Sequence, residues 1–454
     1  MANIKGLFSK EIDLKFWKRD EENVYTGLLC FFLVSIPVVE LISEILGRTY
    51  YYQESLVRFI GIALLLVSMI FLFTKKTHIF VISDLFLALS VLFSIISIIF
   101  SQDLEASLTG AYLHNAEDPL QVLAYFMIFF MATQVSRIEN VKKIFVAILI
   151  VMSLQVIPGF LQHFDAWPYE DFLGREVPGS YGLTQHYNYF ASLMVMFSAL
   201  STMVFILKKN KYKCLWFGIA TFCFLVTMYS WCRLAWVGLI TYLLFIVLFE
   251  IIQKKNNKES VISKKRFIII ICTFALICVY LIIFDDVIVS QVVETTKEIS
   301  GEEGKVIANG RAYIWRVGLA ALDGHWFTGI GFDNYVDAFY IREDLCVGWV
   351  GYKGHNEYIH MLVTQGIFSA LNYIAFCMYI FFHGCKKVMN NEESTHRKIT
   401  IYILLAMIIA YFAQACFNHS VTNIAPYKWL VMGLLVSRGG QKVLFRSKEG
   451  KMEN

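Results

Sequence analysis

Long apolar runs alternate with short polar segments along most of the chain. The runs cover residues 24–47, 56–73, 79–100, 119–135, 144–163, 185–207, 214–231, 234–252, 267–284, 358–382, 399–418 and 425–437. The hydrocarbon core of a bilayer takes about 20 apolar residues per helix, within a range of about 17–25. The pattern therefore predicts twelve transmembrane helices, the last short and carrying Lys428. One stretch breaks the rhythm. Between residues 285 and 357 polar, glycine and aromatic positions mix, and no run is long enough to span. Within it, residues 311–322 (RAYIWRVGLAAL) read as a short helix with Arg311, Trp315, Leu319 and Leu322 on one face. Residues 285–309 read as a polar, acidic segment. The division expected is 1–284 as nine transmembrane helices, 285–357 as an external loop, and 358–454 as three more helices and a tail.

Charge orients this arrangement. With the N-terminus inside, the inner segments hold 29 Lys or Arg and the outer ones 9. Short loops rich in Lys and Arg stay cytoplasmic. Both termini are expected in the cytoplasm, with the 285–357 loop outside. Composition agrees: 57% of residues are hydrophobic and 17% charged, against about 25% charged in soluble domains. The basic residues sit in short loops, so no nucleic-acid partner is expected, whereas membrane lipids are. No cleavable signal precedes residue 24, and the first helix is expected to target the chain. Of the cysteines, Cys232 and Cys346 fall on the expected outer side, where a single bridge could form.

The candidate chemistry gathers at that outer side. Arg233, in SWCRLAW, lies between two apolar runs. A charge near hydrocarbon is costly, up to about 2.5–3.5 kcal/mol at a helix centre, so Arg233 is expected to face a polar cleft. With Arg311 it would form a cationic site suited to phosphate. Arg316 is five residues from Arg311, on another face of the same helix. His355, in GYKGHNEYIH, reads as a general base or as an interfacial or capping histidine. His355 and His360 do not have the spacing of a helical zinc site. The GIGFDNY segment is expected to be a turn. Trp315, Trp326, Tyr335, Tyr340 and Trp349 could stack on sugars or anchor an interface. Glu40 and Glu44 lie near the outer end of the first helix, Asp84 near the inner end of the third. Asp103 and Glu105 have the spacing of a metal-binding pair, but no dedicated metal site is expected.

Taken together, these blocks resemble the bacterial O-antigen ligase and O-antigen polymerase superfamily. The matching positions are Arg311 with Trp315, Gly329 with Gly331, His355 with Asn356, and Gly366. GSYGLTQHYNYFASLM (179–194), with Asn188, and YSWCRLAWVGL (229–239), with Arg233, are similar to two upstream blocks of that family. WFTGIG departs from the family pattern, which often has a proline before the Gly-x-Gly. The resemblance implies an all-α, GT-C-like polytopic membrane protein of the bacterial plasma membrane. It implies a polyprenol-diphosphate-dependent glycosyltransferase, inverting, without cofactor or metal. The donor would be a glycan on undecaprenyl diphosphate and the acceptor another glycan or a lipid. His355 would be catalytic and Arg233 and Arg311 would bind the diphosphate, with Asn188, Trp315 and Asn356 as further substrate-binding candidates. A transporter or flippase of lipid-linked oligosaccharide is the alternative. It would want its polar groups near the bilayer midplane.

Overall fold

The computed structural model describes residues 21–46, 52–74, 77–110, 117–167, 179–300, 310–346, 350–438 and 441–448. Its helices are α1 (Glu21–Ile45), α2 (Tyr52–Thr74), α3 (Ile82–Ile99), α4 (Leu104–Thr109), α5 (Pro119–Gln134), α6 (Ile138–His163), α7 (Tyr187–Ile206) and α8 (Lys213–Tyr229). They continue as α9 (Arg233–Lys255), α10 (Lys264–Phe284), α11 (Asp286–Ser300), α12 (Arg311–Ala320), α13 (Asp337–Ile341), α14 (Glu357–Met389), α15 (Thr395–Ala415) and α16 (Ala425–Leu435). Each of the twelve apolar runs folds as a helix, and the protein is an all-α, multi-pass membrane protein. Among the described residues, nine helices are long and apolar enough to cross a membrane. The shorter ones are α5, α8 and α16, of 16, 17 and 11 residues. At 1.5 Å per residue, α16 covers roughly half of a ~30 Å hydrocarbon core.

A helix that is apolar all round belongs inside a bundle, and α7 is that helix: it is buried along nearly its whole length. It packs on α8 and α15, while α16 packs on α5. By contrast, α3 and α10 turn most of their surface outward.

Contacts sort the polar segments onto two ends of the bundle. At one end Glu22 accepts from the Ser136 and Arg137 amides, 3.0 and 2.7 Å. The Lys208 amide donates to Val261 O, Lys258 Nζ to Asn391, and Arg397 to Ser437. All these segments were expected on the inner side, and we call this the basic end. A two-stranded antiparallel sheet closes it, β1 (Thr77–Val81) pairing with β2 (Val443–Lys448). The apolar run 79–100 had been expected to be helical from its start. Instead Thr77–Val81, rich in β-branched residues, finds a partner strand in the tail, and the helix begins at Ile82. Asp84 is not simply solvated here, since it pairs with Arg438 at 2.6 Å.

At the other end, the loop end, residues 310–346 fold over the bundle with a core of their own. Ile314, Val317, Ala321, Leu322, Ile330, Tyr335, Ala338, Phe339 and Val363 form it. On α12 the buried face is Ile314, Val317 and Gly318, whereas Leu319 is exposed. Of the stripe expected from the sequence, Leu322 is nevertheless buried and Trp315 packs against this core. Gly318 lets the loop approach closely, because a Cβ there would lie 2.1 Å from the Tyr335 hydroxyl. The acidic segment after α10 is also more ordered than expected, with α11 running over 286–300.

The helix expected at 358–382 is longer and broken. Gly366 has φ 81° inside α14, a conformation open to glycine. The Gly329–Gly331 turn docks on that break. Ile330 N donates to Val363 O, Gly331 N to Thr364 O, and Ile367 N to Trp326 O. Neighbouring backbone thus satisfies the groups that the break frees, as it must at membrane depth. The Gly-x-Gly segment is a turn that fits this gap. A Cβ on Gly329 would stand 2.3 Å from the Thr364 carbonyl.

Candidate functional site

His355 immediately precedes α14, in a segment held on every side. Asn356 caps the helix, accepting from the Tyr358 and Ile359 amides at 3.0 Å, and donates to Cys416 O at 2.7 Å. Trp315 Nε1 donates to Gly354 O at 2.7 Å. The Gly354 amide donates to His360 Nδ1 at 3.3 Å. Lys353 pairs with Asp333, and both side chains are buried. His360 Nε2 meets the same carboxylate at 2.8 Å, and its other oxygen accepts from the Glu117 amide at 2.7 Å. Asp333 is thus the point from which the segment 353–360 hangs. Burial alone would raise its carboxyl, but the Lys353 charge and the His360 hydrogen bond outweigh that and hold it below its ordinary value.

Within this frame His355 adopts φ 43°, the left-handed region that non-glycine residues enter at some cost. Its Nδ1 is buried without a hydrogen-bond partner among the described residues. Burial pushes the imidazole down to about 4, and Arg311, His186, His360 and Lys353 push the same way. The ring is therefore neutral at physiological pH.

Arg311 and Arg233 each open a helix, α12 and α9. Arg233 donates to Thr295 of α11 at 3.0 Å. The two arginines act on one group: the thiol of Cys232, pushed up to about 11 by burial, is drawn back by both. Arg311 acts on His355 as well. The charges of both arginines thus reach Cys232, and that of Arg311 reaches His355. Cys232 donates to Asn188 Oδ1 at 3.1 Å, which sets Asn188 beside Cys232. Arg316 is exposed, and its charge acts on Asp344 instead.

Beside Arg233 a slot of about 390 Å³ opens between α8, α9, α10 and α11, with an entirely apolar lining. Met228, Trp236, Ile240, Phe274, Ile282 and Val292 are among its walls. The α11 helix bridges the two features: Val292 faces the slot and Thr295 holds Arg233.

Other expected residues serve structure. Tyr335 is fully buried, with its hydroxyl on Ile314 O, and offers no face to a sugar. Trp326 and Tyr340 are exposed, and Trp349 lies outside the described residues. Cys232 and Cys346 are free thiols, bonded to Asn188 and to Phe339 O, and form no bridge. Asp103 caps α4 through the Ala106 amide at 2.9 Å. Glu40 and Glu44 accept from Gln185 and Trp167, each at 2.8 Å. Among the described residues no three His, Cys, Asp or Glu side chains meet in a metal-holding group.

Glu117, Asp333 and Glu357, none singled out in the sequence, border a cavity of about 70 Å³ together with His360 and Lys428. His419 packs edge-to-face on His355, ring centroids 4.9 Å apart. Asp333 stood in a segment read as a turn, and His419 in a short interhelical loop. Neither had a local signal beyond being polar at the loop end.

Residues 217–374 match the family model described as O-antigen ligase. The match spans Arg233, Arg311, Trp315, His355, Asn356 and Gly366, and leaves Asn188 outside. It supports the superfamily resemblance carried by those motifs. No curated protein matches the chain.

Proposed function

We propose that this multi-pass membrane protein, whose residues 217–374 carry the O-antigen ligase domain, transfers or polymerises oligosaccharide from undecaprenyl diphosphate onto an acceptor hydroxyl at the outer face of the bacterial plasma membrane. The observation that carries this reading is that Arg233, held by Thr295 of α11, stands beside an entirely apolar slot lined from the same helix, with the Arg311 charge reaching both Cys232 and His355. The two guanidinium groups hold the donor diphosphate, each able to bind it through a planar fork. The apolar slot beside Arg233 takes the first part of the polyprenyl chain. His355 removes the proton of the acceptor hydroxyl. The oxygen attacks the anomeric carbon opposite the diphosphate, the carbon–oxygen bond to phosphate breaks, and undecaprenyl diphosphate leaves. One displacement gives inversion. The leaving charge is met by fixed cations in a low-dielectric site, the arrangement that contributes most to such catalysis. Asn356 and Trp315 act here by fixing the backbone on either side of His355, and Asn188 by accepting from Cys232. A transporter would need its polar groups open to both sides. Here these groups lie at one end.

The test is polymer or conjugate formation from undecaprenyl-diphosphate-linked repeats in purified membranes. His355→Ala should lose about 10²–10⁴ in rate, the usual cost of a missing general base. Arg311→Lys should be badly impaired, since an ammonium keeps the charge but loses the fork. Arg316→Ala, on the exposed face, should stay near wild type. Equal loss in Arg316→Ala and Arg311→Ala, or near-normal transfer in His355→Ala, overturns the assignment of roles. Activity should also survive a chelator, because the arginines serve where other enzymes use a cation. Loss in EDTA restored by Mg²⁺ or Mn²⁺ would refute that part.

A further inference from the structure

A neutral imidazole is a base through one nitrogen only, and the proton on the other must be placed. In hydrolytic triads a carboxylate does this. The groups that act most on His355 are Arg311, His186, His360 and Lys353, and no carboxylate is among them. Its Nδ1 is buried and unpartnered, which leaves Nε2 as the open nitrogen of the ring. The ring against it belongs to His419, 4.9 Å away between centroids and inclined at 73°. His419 is buried, and its own Nδ1 is likewise unpartnered. Its Nε2 is engaged with the Tyr189 hydroxyl at 3.1 Å. Two neighbouring rings thus each carry one sealed, unsatisfied nitrogen. The two nitrogens are not hydrogen-bonded to each other at this ring separation, and one water between them would satisfy both.

We propose that His419 is a positioning residue for His355: through one bridging water its Nδ1 accepts the His355 Nδ1–H and so fixes Nε2 as the basic nitrogen. The Tyr189 contact admits either direction. With His419 Nε2–H as the donor, the direction proposed, the lone pair is left on His419 Nδ1. A bridge from His355 to that lone pair then puts the His355 proton on Nδ1. When Nε2 takes the acceptor's proton, the resulting imidazolium keeps the same Nδ1–H bond, so the ring does not turn during the reaction. The Asn356 bond to Cys416 O ties the start of α14 to the segment that carries His419, which keeps the rings in register. This inference rests on the assignment of His355 as the base.

The experiment uses the full chain in nanodiscs of phosphatidylethanolamine and phosphatidylglycerol, with ¹⁵N-labelled histidine and solid-state NMR. The His355 signals are those lost in His355→Ala. At neutral pH wild-type His355 should be the Nδ1–H tautomer. His419→Ala should shift it toward Nε2–H, and His419→Asn, whose amide oxygen can stand in for Nδ1, should keep it. Tyr189→Phe, which releases the His419 tautomer, should give a mixture, and it carries the test if His419→Ala does not fold. Transfer assays should show kcat down about 10–100-fold in His419→Ala with KM unchanged, the scale known for groups that orient a metal-bound histidine, and partial recovery in His419→Asn. A wild-type Nε2–H tautomer, or one unmoved by His419→Ala and Tyr189→Phe, overturns the contact. If the tautomer moves as stated while His355→Ala retains full transfer, the contact exists but His355 is not the base, and the role given to His419 falls with that earlier reading.

Discussion

His355 is the residue whose surroundings leave the clearest mark on solution behaviour. An ordinary histidine titrates near 6.5. Burial, then Arg311, His186, His360 and Lys353, lower this one to about 4. A base works in its neutral form, which dominates above its pKa. The acid limb of kcat/KM, which reports the free enzyme, should therefore lie near pH 4, with a plateau from about pH 5 to neutrality. Arg311→Gln removes a positive charge from the vicinity and should move the limb toward higher pH while lowering the plateau. A wild-type limb at pH 6–7 would mean that His355 is open to water or is not the base. At this scale the candidate residues themselves were legible. Arg233, Arg311 and His355 are residue types that are expensive near hydrocarbon, so their presence at the ends of apolar runs is informative. Their partners were not legible. Asp333 reaches His360 across 27 positions, and His419 reaches His355 across an intervening helix pair. A pairing of that kind has no period in the sequence.

The helices show the same division. Their existence was written in the length of the apolar runs, but what a run cannot report is the partner that ends or breaks it. The start of α3 is set by a strand from the far end of the chain, and the break in α14 by a turn that fits against Gly366. Lys428 made the last run look doubtful as a helix. In the structure it is almost fully buried and paired with Glu357 of α14. The Tyr373 and Tyr411 hydroxyls donate to that carboxylate at 2.5 and 2.8 Å. One lysine thus joins α16 to the helix that begins just after His355. Removing one member of a buried pair strands the other charge and costs about 3–5 kcal/mol, whereas replacing both by apolar residues is often neutral. Lys428→Met should lower the unfolding midpoint of the detergent-solubilised protein sharply. Adding Glu357→Leu should recover most of the loss. A Lys428→Met protein as stable as wild type would show that the pair adds nothing to holding α16 in place.

For the whole molecule, the charge count and the contacts bear on different questions. The contacts establish which segments share an end: Glu22 with 136–137, Lys208 with Val261, Lys258 with Asn391, Arg397 with Ser437, and β1 with β2. The segments named here, expected on one side by alternation, do meet one another. The contacts are indifferent to which end faces the cytoplasm. That question rests on charge, 29 Lys or Arg on the basic end's segments against 9 on the others, because short loops rich in Lys and Arg are retained inside. With that orientation, the placement of His355, Arg233 and Arg311 at the loop end would put the proposed chemistry outside, as the proposed lipid-linked donor requires. A Ser300→Cys probe at the end of α11, in a background with the native thiols replaced, should react with a membrane-impermeant maleimide in intact cells. Cysteines placed at Asn256 or Asn391 on the basic end should react only after permeabilisation. The reverse pattern would invert the molecule in the membrane, and would require the glycan donor to be met from the cytoplasmic leaflet by the same arginines.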